Sequence, residues 1–350
     1  MLTGEGERCQ FFTIFYKGDC TMSQKALMLR ALIRQGHVFA YGVSSPLTAR
    51  IAELTGHKAL YAGGYAAAAE RLLPDMGILT QTEMLQHVKY IARAVSVPVM
   101  ADIDDGYGGA HNVQRTVEDV ITETDAAGFH WEDQKYPKRC GHIAGKEILP
   151  IQEAVGKLKL AIATRDRLDS ERVVMARTDA FSAAGGKRNL MISGDIEEAI
   201  VRGCAYADVG ADLVWCEFPA PDKMSAEMFA AGMRNHLPVL GLGFNISPSF
   251  NWCATAYHVR YQDLIDFGYT FLFATYPSIV ASVLASQEWA QRFSGQGTQI
   301  EALKHLQREA NGTMAESIMQ LVGVPAYQLR EEQYSPHAAQ NLRTSDGFKV

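Results

Sequence analysis

The stretch VPVMADID, residues 97–104, reads as a buried β-strand that runs straight into acid. Valines and a methionine with no helical spacing suit a pleated segment covered on both faces, and Asp102 and Asp104 follow without a break. Working outward, seven further runs have the same character: HVFAYGV (37–43), ALYAGGY (59–65), GFHWED (128–133), RVVMARTDA (172–180), LVWCEF (213–218), PVLGLGFN (238–245) and YTFLFAT (269–275). Between them lie stretches such as TQTEMLQHVKYIARAVS (80–96) and GDIEEAIVRGCAYADVGA (194–211), in which apolar residues recur with helical period. Strands buried on both faces and separated by helices form a parallel sheet. Eight such units in about 250 residues predict a (β/α)8 TIM barrel. A doubly wound open sheet would place a Gly-rich phosphate turn after its first strand, and YGVSSPLT (41–48) is not one.

Polar residues crowd the ends of these runs. Asp102, Asp104, Glu132, Asp133, Arg177, Asp179, Glu217, Asn245 and Thr275 all fall at or just past an apolar stretch. In a barrel the C-terminal strand ends converge on one rim, which is where barrel enzymes do chemistry.

The composition is that of an ordinary globular enzyme: 47% hydrophobic and 21% charged residues leave room for a large core without disulfide or structural metal. A formal net charge of -6 and no basic stripe argue against nucleic acid as a partner. Six scattered cysteines without a C-x-x-C read as reduced thiols of a cytoplasmic protein, and no run approaches a membrane span. A helix is expected from Ser23, as N-cap, to Gly36. The chain is therefore divided into a poorly ordered N-terminal extension (1–22), the barrel (23–295), and a helical segment with a polar tail (296–350).

Three constellations carry the chemistry. In ADIDDGYGG (101–109), Asp102 and Asp104 are two apart, so on a strand both carboxylates face the same side. Glu132 on the next strand completes an oxygen-only set that suits Mg²⁺, with Mn²⁺ able to substitute; a solvated acidic loop is the plain alternative. Asp75 either holds a metal-bound water or caps a helix. In PKRCGH (137–142), Lys138, Arg139 and His142 surround Cys140 with positive charge, which favours a thiolate able to trade protons near neutral pH; a structural cysteine is the alternative. Arg177 and Glu217 end two strands, where a guanidinium either clamps a substrate carboxylate or pairs with the glutamate. FNISPSFNW (244–252) offers Asn245, Ser247 and Ser249 as neutral donors, though a plain turn looks similar.

Taken in order, ADIDDGYGG, HWEDQ, KRCGH, ARTDA and FNISPSFNW resemble the isocitrate lyase and phosphoenolpyruvate mutase superfamily over residues 23 to 295. KRCGH is similar to the lyase signature, which the phosphonate mutases lack. The resemblance implies Mg²⁺ on Asp102 and Asp104, with Glu132 and Asp75 in its water shell. It implies that Arg177 and the turn Gly63-Gly64-Tyr65 hold an α-oxo acid; Gly141 and Glu217 are further candidate substrate-binding residues. Asn245, Ser247, Ser249 and Thr275 would hold a distal carboxylate, with Cys140 as the acid, helped by Lys138, Arg139 and His142. It also implies a homotetramer in which C-terminal helices swap between subunits. Isocitrate lyases have Ser-Gly-Trp where this chain has Gly63-Gly64-Tyr65, and the loop EDQKYPKRCGH is spaced as in the alkylmalate lyases and oxaloacetate hydrolases. The expected activity is Mg²⁺-dependent retro-aldol cleavage of a 2-hydroxy acid, first of isocitrate to glyoxylate and succinate. A 2-methylisocitrate or 2-alkylmalate lyase, an oxaloacetate hydrolase and a non-catalytic dicarboxylate-binding relative are the alternatives.

Overall fold

A computed structural model describes residues 22–141, 143, 145–183, 196–253 and 258–335. The expected disorder of the N-terminal extension concerns residues 1–21, which lie outside that set, as do residues 336–350 of the polar tail. All eight expected strands form: β1 (Val38–Gly42), β2 (Ala59–Ala62), β3 (Val99–Asp102), β4 (Gly128–Glu132), β5 (Val173–Thr178), β6 (Leu213–Cys216), β7 (Leu242–Asn245) and β8 (Tyr269–Ala274). Each pairs in parallel with the next, and β8 pairs with β1, which closes the barrel.

Period-two alternation sorts the strand residues. One set (Leu60, Ala101, Trp131, Val174, Val214, Leu272) faces outward into the layer formed with the surrounding helices. The other set (Ala40, Tyr61, Met100, Met175, Trp215, Phe273) fills the barrel interior. Two residues further along the same inward face, the side chains become polar: Met100 gives way to Asp102, Met175 to Arg177, Trp215 to Glu217 and Phe273 to Thr275. One face is thus apolar below and reactive at the rim.

The opposite end of the barrel is shut. Ser23 caps the helix Gln24–Arg34 by accepting from the Ala26 amide, and Gly36 follows at φ +135, as expected. Leu29 and Ile33 of this helix pack onto the interior residues Val38 and Ala40. Arg30 Nη1 and Arg165 Nη1 reach Asp212 at 2.9 and 2.6 Å, and Asp212 also accepts from the Val174 amide at 2.8 Å. Buried charges of this kind hold only when every lone pair is used, and here the network fastens the helix across the barrel floor.

After β8 the chain leaves the barrel. In the helix Pro277–Phe293 only Ser278 is buried, and the helices Gln299–Ala310 and Val324–Tyr334 expose Ile300, Leu303, Tyr327 and Leu329. Among the described residues no helix is long and apolar enough to cross a membrane.

Candidate active site

The acid cluster is built from three connections. β3 ends at Asp102, so Asp104 is not on the strand and the same-side argument does not apply to it; Asp104 instead turns back at φ +48. That left-handed conformation costs on the order of 1 kcal/mol, which an aspartate tolerates better than most residues. It lets the Asp104 amide donate to Asp102 Oδ1 at 2.9 Å, and both carboxylates face the same backbone position at Gly64. Gly64, at the start of the helix Gly64–Ala69, donates its amide to Asp102 Oδ2 at 2.7 Å. A Cβ on Gly64 would lie 3.1 Å from that oxygen and 3.2 Å from Asp104 Oδ1, close enough that the carboxylates would have to give by a few tenths of an ångström.

Lys138 supplies the cation. Its ammonium lies 2.5 Å from both Asp75 Oδ1 and Asp104 Oδ1, with its side chain only 6% exposed. Burial opposes its charge, but Asp104 and Asp75 hold it well above the ordinary lysine range. Asp75 caps no helix; Thr80 caps the helix that follows. Even with this ammonium in place the cluster is short of positive charge. Burial pushes Asp104 up to about 6, with Asp102 and Asp75 adding to the effect, and burial drives Glu132 well above the usual carboxylate range. Glu132 Oε1 is buried without a hydrogen-bond partner. Beneath the cluster His130 Nε2 lies 3.1 Å from Asp102 Oδ1 and its Nδ1 3.1 Å from the Tyr61 hydroxyl. Burial, reinforced by Arg177, holds this imidazole neutral.

Arg177 projects from β5 at the level of Glu132, its register partner on β4. Its Nε and Nη2 donate to the two oxygens of Asp179 at 2.8 and 2.9 Å, its Nη1 lies 3.1 Å from Glu132 Oε2, and its guanidinium stacks 4.5 Å from the Trp215 ring centre. Arg177 thus pairs with Glu132 and Asp179, and Glu217 adds to the negative charge around it. Burial works against the Asp179 charge, yet Arg177 and Lys146 outweigh it and hold the carboxyl far below its usual range. Glu217 is buried beside Arg177; Gly141 comes so close to both that a Cβ there would collide with Glu217 Oε1 and Arg177 Nη2.

The loop after β4 brings in the thiol. Its ends pair at Gln134 and Ile148, and the Gln134 side chain clasps the Arg139 backbone, accepting from its amide at 2.9 Å and donating to its carbonyl at 2.8 Å. The Cys140 amide donates to the Asp75 carbonyl at 3.0 Å, which ties the half-buried thiol residue to the acid cluster. His142 lies outside the described residues. Lys138 and Arg139 flank Cys140 in sequence, but the Lys138 charge is directed at the acids.

One pocket at the rim collects these groups. Asp102, Lys138, Arg139, Cys140, Gly141, Arg177 and Glu217 line it, with Asp75, Gly63, Tyr65, Asn245 and Thr275. Asn245 ends β7 with its Oδ1 buried and unpartnered. Ser247 is fully buried, and its hydroxyl accepts from the Ser249 amide at 3.1 Å, so it braces the turn from behind. The Ser249 hydroxyl meets the Tyr276 phenol at 2.5 Å, and Tyr276 stacks on Tyr65 with ring centres 4.2 Å apart. Tyr276, Trp215 and Lys146 had no motif to announce them. Tyr276 does directly follow Thr275, and Lys146 lies on the returning limb of the Cys140 loop.

Carboxylates, an oriented guanidinium and a thiol over one cavity at the C-terminal rim define a barrel enzyme with a built reaction site. A family profile described as phosphoenolpyruvate phosphomutase matches residues 29–256. An isocitrate lyase of Haloferax volcanii is 37% identical over 328 residues, 93% of this chain and 91% of that protein. A 2-methylisocitrate lyase of Aeropyrum pernix is 30% identical over 92% of this chain and 94% of its own length. Among solved structures, a 2,3-dimethylmalate lyase covers 90% of this chain and 97% of its own with a TM-score of 0.75 at 27% identity. A phosphonopyruvate hydrolase in complex with oxalate and Mg²⁺ covers 89% of this chain and 99% of its own with a TM-score of 0.71 at 26% identity. The chain belongs to the phosphoenolpyruvate mutase/isocitrate lyase superfamily, and it is an enzyme of that superfamily's carbon–carbon lyase type.

Proposed function

We propose that the protein cleaves the bond between C2 and C3 of a 2-hydroxy tricarboxylate, with isocitrate giving glyoxylate and succinate as the first choice. The observation that carries this is the layout of the rim. The acid cluster and Arg177 come from β3 to β5, while Asn245 and the Ser249–Tyr276 pair come from the far side, at and beyond β7 and β8. A substrate spanning the cavity therefore meets a cation-binding, charge-rich end and a neutral, donor-rich end. The long match to an isocitrate lyase supports the same choice.

The residues fit a divalent cation. Among the described residues no three His, Cys, Asp or Glu side chains converge tightly enough to hold a metal directly. Mg²⁺ does not require that, since it keeps several waters and takes one or two carboxylates. Asp102 and Asp104 would hold it, with Glu132 and Asp75 reached through water, and the Lys138 ammonium marks where positive charge is wanted. Bound there, the cation would polarise the hydroxyl and carboxylate of the 2-hydroxy acid and stabilise the oxyanion as the hydroxyl loses its proton. Arg177, locked by Asp179, orients the carboxylate that becomes part of the oxo acid. Cys140 gives its proton to the carbanion left on the other fragment, and Gly141 lets the loop approach Glu217 and Arg177.

The reading is tested by incubating the enzyme with Mg²⁺ and a panel of acids, then trapping oxo acids with phenylhydrazine. Glyoxylate from isocitrate supports it; pyruvate from 2-methylisocitrate or a 2-alkylmalate makes those the substrates; no oxo acid from any of them removes the lyase reading. Release of oxalate and acetate from oxaloacetate would instead identify a hydrolase. The distal end has its own test. Asn245→Ala is expected to lower kcat/KM for a tricarboxylate by roughly one to two decades, the worth of one hydrogen bond to a charged group at about 1.5–3 kcal/mol. Use of a simple alkylmalate should change far less. Equal losses on both would mean that Asn245 only shapes the rim.

The C-terminal helices fit a homotetramer in which they cover neighbouring subunits, because Val283, Leu284, Ile300 and Leu329 are otherwise exposed apolar side chains. Sedimentation equilibrium should give four chains per particle. A monomer at micromolar concentration would refute the assembly.

A further inference from the structure

Lys146 lies outside the cavity lining, yet its ammonium is fully engaged just behind it. Its side chain is 2% exposed, and its ammonium has three acceptors: the Gly141 carbonyl, Asp179 Oδ1 at 2.9 Å and the Ser182 hydroxyl at 2.5 Å. Three donors and three partners saturate an ammonium. Neutralising Asp179 does not by itself require this lysine, since Arg177 already binds both Asp179 oxygens. The contact to Gly141 is of a different kind, because it fixes the carbonyl of the residue that follows Cys140.

The loop from Gln134 to Ile148 shows why that matters. Gln134 clasps the segment up to Arg139, and the Cys140 amide is tied to the Asp75 carbonyl. Beyond Cys140, the Ile143 amide closes a turn onto the Cys140 carbonyl at 2.9 Å, and Lys146 on the returning limb reaches back to the Gly141 carbonyl. The same ammonium holds Asp179, and Asp179 aims Arg177. We infer that Lys146 is a positioning residue that sets the Gly141 carbonyl, one residue past Cys140, and the carboxylate behind Arg177 in one fixed relation. The acid that delivers the proton and the guanidinium that holds the other fragment are then placed by a single brace. A displacement of about 1 Å in such a pair costs roughly 10²-fold in rate.

This inference rests on the proposed roles of Cys140 and Arg177. Lys146→Met keeps length and removes charge and donors. In the folded variant, kcat on the substrate identified by the acid panel should fall about 10²-fold. Iodoacetamide should alkylate Cys140 of the free enzyme several-fold faster, because the Gly141 carbonyl beside it is no longer held. In Lys146→Ala, propylammonium should restore at least tenfold of the lost kcat, while tetramethylammonium at equal concentration, which has no N–H to donate, should restore none. A purely structural lysine would lower the melting temperature and leave both the kcat of the folded fraction and the alkylation rate at native values. That result overturns the inference, as does failure of both variants to fold. Native kcat in Lys146→Met beside an inactive Cys140→Ser sinks this inference alone; an active Cys140→Ser sinks the proposed reaction.

Discussion

Cys140→Ser is expected to lower kcat by about 10²–10⁴-fold, the usual worth of a positioned acid or base, while binding of substrate survives. The substitution exchanges one atom for a similar one, so the loop, with its Gln134 clasp and its tie to Asp75, keeps its geometry. What changes is acidity. A serine hydroxyl is several units less acidic than a thiol and cannot be poised near neutral pH by the same surroundings. Binding should persist because Arg177 is held by Asp179 and Glu132 independently of the thiol. Native enzyme should lose activity to iodoacetamide at a rate slowed by bound product. Turnover within a few-fold of native in Cys140→Ser would remove the cysteine from the mechanism and the proposed cleavage with it.

Much of the fold was legible because barrel strands are local signals. An apolar run followed by a helical pattern is read from about thirty adjacent residues, and all eight runs formed strands. Polar strand ends were legible for the same reason: Asp102, Arg177, Glu217, Asn245 and Thr275 line one cavity because the closed barrel brings its strand ends together. What the chain did not reveal are relations decided by turns and by distant partners. The strand-alternation argument placed Asp104 beside Asp102 for the wrong reason, since a left-handed turn brings the two together. Lys138, two residues before Cys140 in sequence, points at Asp75, 63 positions away. Ser247 and Ser249 look equivalent as hydroxyls, yet one braces the backbone and the other meets Tyr276. Charge proximity along the chain says little about which buried group a flexible lysine will reach.

Removing divalent metal is expected to abolish turnover, and Mg²⁺ or Mn²⁺ should restore it. The reason lies in the acids as they stand. Asp104 and Glu132 are buried with their pKa values raised, which means that their charges are under-compensated by Lys138 and Arg177 alone. A cation held by Asp102 and Asp104 would remove that cost. The sign of the pH dependence follows from Asp104, whose carboxyl rises from an ordinary 3.8 to about 6, first through burial. A raised acid favours the fold most when protonated, so its contribution to the metal-free protein is fully present below about pH 4 and is lost as pH climbs through 6. Cation binding needs the ionised form and so competes with that proton. The rise in melting temperature on adding Mg²⁺ should therefore be small at pH 5, grow through pH 6 and level off by about pH 7.5. This readout is independent of catalysis. Full turnover in rigorously metal-free enzyme, or a Mg²⁺-induced rise that is the same at pH 5 and pH 7.5, would show that Asp104 is not a ligand and that Lys138 is the only cation the cluster needs.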